Sequence, residues 1–185
     1  MKKIKKLLLV VLITTLISSC NSKLSFDAKG FKGVEENLKN KFGDDAFYTE
    51  LSITYVKQVG TIITTTVTKD PSSLKMGSWN FSNSSWSQTA DVTLELSGGK
   101  AQDFMFNLNE EVDLSKLGEL IESSIKKLKE EKDISAAVLS IASIMAPDDG
   151  DNSKMNYFIQ LKPENGGTDF TFVYNLDGTL EKFDY

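Results

Sequence analysis

Few residues of this chain could do chemistry. Ser72 with Lys75, and Ser123 with Lys126, place a hydroxyl three residues before an amine, the spacing at which lysine can act as base to a serine nucleophile. The Ser-Asp-Asn and Lys-Thr-Gly segments that complete such a centre are missing, so both pairs read as chance spacings, with Ser123 and Lys126 on the surface of their helix. Histidine is absent and Cys20 is the only cysteine. That excludes Ser-His-Asp and Cys-His catalysis, and zinc held by imidazole or thiolate.

Asp148, Asp149, Asp151 and Asn152 crowd oxygen ligands into one stretch, and Asp149, Asp151 and Ser153 have the alternate spacing of a calcium loop. Lys154 stands at the loop-glycine position and Gln160 at that of the closing glutamate. A solvated loop is therefore expected, with no cofactor and these three aspartates as the remaining metal candidates. Glu110 and Glu111 could serve a carboxylate-based hydrolase, but adjacency in sequence does not supply the facing geometry such chemistry needs. Trp79, Phe81 and Trp86 are the densest aromatic cluster, across a polar hairpin. Exposed, they could stack on sugars or grip a partner; packed, Trp79 and Phe81 share one strand face with Trp86 beside them. No glycine-rich phosphate loop, dinucleotide fingerprint or basic patch with interleaved aromatics occurs.

The elements that must position these residues follow from periodicity. Asp27 should cap a helix carrying Phe31, Val34, Leu38 and Phe42 on one face, with Gly43 ending it. From Phe47 the period becomes twofold, and strands are expected around Leu51 to Tyr55, Ile63 to Val67, Trp79 to Phe81, Trp86 to Leu96, and Phe104 to Leu108. Asp113 opens a second helix with Leu114, Leu117, Ile121, Ile125 and Leu128 on its buried face and a Glu122–Lys126 pair outside. A nearly apolar stretch from about Ile134 to Ala146, stopped by Pro147, reads as a third, buried helix. Three strands close the chain, at Tyr157 to Leu161, Phe170 to Tyr174, and Leu180 to Tyr185 after the Asp177-Gly178 turn. The sum is an α+β domain over residues 27–185 with antiparallel meanders and helices on one face, divisible into α-β halves 27–108 and 109–185. That element order resembles periplasmic domains of the PepSY and β-lactamase-inhibitor-protein type, which implies helices laid on a curved sheet.

The N-terminus carries Lys2, Lys3, Lys5 and Lys6 before an apolar run from Leu7 to Ile17, a secretory signal pattern too short to span a bilayer. Ile17-Ser18-Ser19-Cys20 resembles the bacterial lipobox, in which small residues admit the peptidase and the thiol accepts a diacylglyceryl group. The resemblance implies a signal peptide over 1–19, lipidation of Cys20, and a polar tether over 20–26. The arginine-free, asparagine-rich composition resembles proteins of low-GC bacteria, and the Ser-Ser-Cys ending is similar to those of Bacteroidetes lipoproteins. Asn21, where an aspartate would resemble an inner-membrane retention signal, implies the outer membrane, and the domain is expected to face the periplasm.

Without the four signal lysines, 17 lysines stand against 26 acidic residues, a net charge of −9. Nucleic acid is not an expected partner, and membrane affinity should come from the lipid on Cys20. The expectation is a non-enzymatic envelope module that binds or assembles with an envelope protein. Its alternatives are a carrier enclosing a lipid or peptide in a cavity and a carboxylate-based hydrolase. Cavity size separates module from carrier.

Overall fold

Caps set the two helices. The Asp27 carboxylate accepts the Gly30 amide at 2.7 Å to start α1 (Ala28–Phe42), and Gly43, at φ 99°, ends it. Asp113 accepts the Ser115 and Lys116 amides at 2.8 and 3.2 Å to start α2 (Leu114–Lys132), and Asp133 closes it in the left-handed region. The computed structural model describes residues 24–96 and 98–185. The expected signal segment, Cys20 and tether residues 21–23 lie outside the described residues.

Nine antiparallel strands form one sheet: β1 (Phe47–Val56), β2 (Gly60–Thr68), β3 (Lys75–Ser82), β4 (Ser85–Thr93), β5 (Phe106–Asn107), β6 (Ala137–Met145), β7 (Asn156–Pro163), β8 (Phe170–Asn175) and β9 (Leu180–Asp184). Their order is β4-β3-β2-β1-β6-β7-β8-β9, with β5 beside the start of β1. This is the α+β class read from the sequence: each half begins with a helix and continues into a meander. The first strands of the two meanders, β1 and β6, pair at the centre from Glu50↔Met145 to Thr54↔Ile141.

Both helices lie on one face. Leu51, Ile53, Leu139, Ala142, Ile159 and Phe172 point toward them and are fully buried. The Tyr157 hydroxyl fixes α2 to β7, accepting the Asp113 amide and donating to the Asp113 carbonyl, each at 3.1 Å. On the opposite face, the chain leaving β4 covers one end of the sheet. There Met76, Ala101 and Met105 form a second small core with Phe47, Val92 and Leu94.

Four expectations are corrected. The stretch 134–146 is not a helix but β6, buried between β1 and β7. A bulge at Ser140 separates the inward-facing Leu139 and Ala142 by three residues, which imitates a helical period. The expected strand at 104–108 is a 3-10 turn, Ala101–Phe104, followed by the two-residue β5. The Asn107 side chain then accepts the Asn109 and Glu110 amides and turns the chain. Residues 24–26 are no tether: Leu24 and Phe26 pack on the core, Phe26 edge-on to Tyr55 at 5.2 Å. Finally, Lys126 pairs with Glu130, not Glu122, and the buried face of α2 includes Ser124, with Ile125 only half-buried.

The helices cross at Gly118, where a Cβ would collide with the Asp27 carbonyl oxygen and approach the Ala28 nitrogen to 2.7 Å. Alanine should therefore destabilise the fold by about 1–3 kcal/mol through overpacking, although its helix propensity is about 1 kcal/mol better. Urea denaturation of Gly118→Ala checks this. A raised midpoint would mean that α1 does not seat on α2 at this point.

Candidate functional site

The two faces of the sheet differ in kind. Away from the helices, paired residues form rows across the strands, one running Asn80, Thr64, Ser52, Ser143, Phe158 and Val173. The next begins at Ile62 and runs through Thr54, Ile141, Gln160 and Thr171. The β1–β4 half of this open face is a carpet of hydroxyls and amides. The β6–β8 half is apolar, with Ile141, Phe158 and Val173 half-buried and Met145 62% exposed. Glu50, opposite Met145, accepts the Thr66 hydroxyl at 2.8 Å. Threonines here hydrogen-bond within the sheet and keep the surface flat and polar beside the apolar strip.

A cleft of about 930 Å³ lies on the other face, between the first turns of α1 and the β1–β2 and β3–β4 turns. Leu24, Val34, Tyr55, Ile63 and Phe81 supply apolar wall, and Lys29, Lys57 and Asp27 are its charged side chains. It opens to solvent and is a surface groove, not a sealed void of the kind a carrier encloses.

Trp79, Phe81 and Trp86 are brought together as their spacing implied, but they turn toward α1. Phe42 meets Trp79 and Trp86 edge-on at 5.5 and 5.0 Å, Trp86 Nε1 donates to Asn37 Oδ1 at 2.7 Å, and Lys41 sits 4.5 Å over the Trp79 ring. These rings hold α1 on the first meander, and Phe81 alone of the three lines the cleft.

The serine-lysine pairs are not assembled. The Ser72 hydroxyl donates to Asp70 at 2.6 Å, and the Ser123 hydroxyl donates to the Glu119 carbonyl at 2.9 Å. Ser123 and Lys126 are both exposed, as the face of α2 implied. Glu110 is exposed, whereas Glu111 accepts the Asn107 amide at 2.9 Å and the Asn152 side chain at 3.0 Å. Glu111 is thus a brace between the β5 turn and the aspartate loop, a role that no local signal in the sequence carries.

Asp148, Asp149 and Asp151 form an exposed loop, and Lys154 folds back onto it, paired with Asp149 and lying 3.5 Å from Asp151. Lys154 holds the Asp149 carboxyl below the usual range, and the Ser153 hydroxyl does so first for Asp151. Among the described residues, no group of three or more His, Cys, Asp or Glu side chains has the geometry to hold a metal ion. No family model matches the chain, and no curated protein or solved structure matches it.

With Lys154 paired to Asp149 and no metal-holding group of carboxylates among the described residues, calcium and magnesium at millimolar concentration should shift the melting temperature equally. A calcium-specific rise of several degrees, the mark of selective binding to the folded state and abolished by Asp149→Ala, would overturn this. Both carboxyls have folded values below their unfolded ones. Their contribution is therefore present above the unfolded value and lost as pH falls through the folded one, so acid titration of Lys154→Ala should show a smaller loss of stability below about pH 4 than the parent.

Proposed function

We propose that this chain is a membrane-anchored envelope lipoprotein whose domain acts without catalysis, binding a partner protein through the open face of its sheet. The observation that carries the reading is the asymmetry of that sheet. Both helices cover one face, while the other presents Met145, Ile141, Phe158 and Val173 beside a hydroxyl-rich carpet. Eight strands at roughly 4.8 Å spacing, with about six residues of length each outside the end covered by the second core, span roughly 700 Å². That is close to the ~800 Å² that each partner gives to a standard protein interface. An exposed methionine beside aromatic and branched side chains fits an interface centre; Lys162, Lys182 and Asp184 stand toward the rim, and Glu50, the charged group opposite Met145, is engaged by the Thr66 hydroxyl.

The address rests on the lysine-rich start, the apolar run and Ile17-Ser18-Ser19-Cys20. Among the described residues no helix is long and apolar enough to cross a membrane. A lipid at Cys20 with two or more chains would supply stable anchoring. Asn21 favours the outer membrane, and the reading has the domain face the periplasm.

Two measurements test the reading separately. Cys20→Ala should move the protein from membranes to the soluble fraction, and a clickable fatty acid that left Cys20 unmodified would sink the anchor. A photo-crosslinking residue in place of Met145 should give a discrete higher-mass product in intact envelopes, and the same residue in place of Glu130, on α2, should not. Equal labelling at both positions, or none at Met145, would sink the binding face.

A further inference from the structure

The cleft beside α1 lies where an anchored chain would meet its bilayer, and this inference rests on the anchor at Cys20 proposed above. Leu24 lines the cleft and is four residues from Cys20. Four residues reach at most about 14 Å when fully extended. The end of the molecule that carries the cleft is thereby tied to the lipid surface, whatever path those residues take.

The chemistry of the rim fits that surface, against the trend of the whole domain. Residues 21–185 carry a net charge of −9, yet the charged groups lining the cleft are Lys29, Lys57 and Asp27. The Asp27 carboxylate is committed to the α1 cap, accepting the Gly30 amide and the Ser25 hydroxyl. Lys57, 73% exposed, pairs with Glu164 at 3.2 Å, in a solvated pair of the kind that exchanges freely with other anions. At the tip of the β1–β2 turn Val59 is 47% exposed, an apolar side chain standing out beside Lys57.

We propose that this rim is a membrane-docking surface for anionic bilayers. Lys29 and Lys57 meet lipid phosphates and Val59 enters the headgroup layer. The rim lies at one end of the strands, so docking stands them upright on the bilayer and turns the open face of the sheet to look along the membrane plane. A partner seated there would be reached sideways, by a protein in or on the same membrane.

The test uses the full-length acylated protein in vesicles. Acylation consumes the one native thiol, so Val59→Cys accepts a single environment-sensitive fluorophore. In vesicles mixing phosphatidylglycerol with phosphatidylcholine, its emission should shift to the blue and be quenched by headgroup-nitroxide lipid. The quenching should be at least about twofold stronger than in phosphatidylcholine alone, and should weaken in high salt. Lys29→Glu with Lys57→Glu should abolish the difference while circular dichroism stays unchanged. Glu110→Cys, in the turn after β5, should stay unquenched. Equal quenching at positions 59 and 110, or no response to the lysine changes, overturns the docking surface and leaves the anchor standing. A chain whose intact mass shows an unacylated Cys20 removes the anchor and the docking surface with it.

Discussion

The pairing of β1 with β6 is the constraint on which the rest of the molecule depends. Five residue pairs, Glu50↔Met145 to Thr54↔Ile141, turn two four-stranded meanders into one sheet. They also set the register of everything built on either face. On the helix side they align Leu51 with Ile144 and Ile53 with Ala142, the floor on which α1 and α2 rest. On the other side they bring Ser52 beside Ser143 and Thr54 beside Ile141, so the hydroxyl carpet of one half abuts the apolar strip of the other. A slip of one residue would invert both patterns at once and put methionine and serine under the helices.

Helix-face residues were legible in the sequence because water enforces them. Phe31, Val34, Leu38 and Phe42 can be buried only on a helix, and Tyr157, Ile159 and Leu161 only on a strand with one wet face. Where a strand is apolar on both faces the pattern fades. The strand β6 lies between two neighbours at the centre of the sheet, reads as a nearly apolar run, and carries a bulge that spaces its inward residues like a helix. Ser124 was equally hidden: a serine on a helix looks like a solvent residue until Tyr174, fifty residues on, comes within 2.8 Å of its hydroxyl and the Leu120 carbonyl accepts its proton.

The candidate site was legible only in parts. Trp79, Phe81 and Trp86 were found by composition; the twofold alternation of β3 sends Trp79 and Phe81 to the helix side, pairing with Phe81 brings Trp86 there, and the two tryptophans meet Phe42, with Asn37 accepting from Trp86. The open face went unread, since its residues are serines, threonines and scattered aliphatics whose adjacency exists only across strands. The acidic loop shows the converse: its charges are evident in sequence, but Lys154, which offsets part of them, counts only once the 3-10 turn at Asn152–Lys154 folds it back. In each case local chemistry was readable and long-range juxtaposition was not.

The bulge in β4 governs what can grow from the sheet's edge. With nine residues and a single charge, Asp91, β4 would otherwise be an open template for another chain. Thr89 has no opposite number on β3, and its hydroxyl donates to the Ser78 carbonyl at 3.1 Å, so the ladder breaks in mid-strand. An added strand would meet a kinked edge whose hydrogen-bonding phase changes halfway. At the far edge Glu181, Lys182 and Asp184 deny the same foothold by charge. Anchored as proposed above, the domain would meet its own copies edge to edge more often than in solution, and these two devices would oppose the zipping of such encounters into fibres.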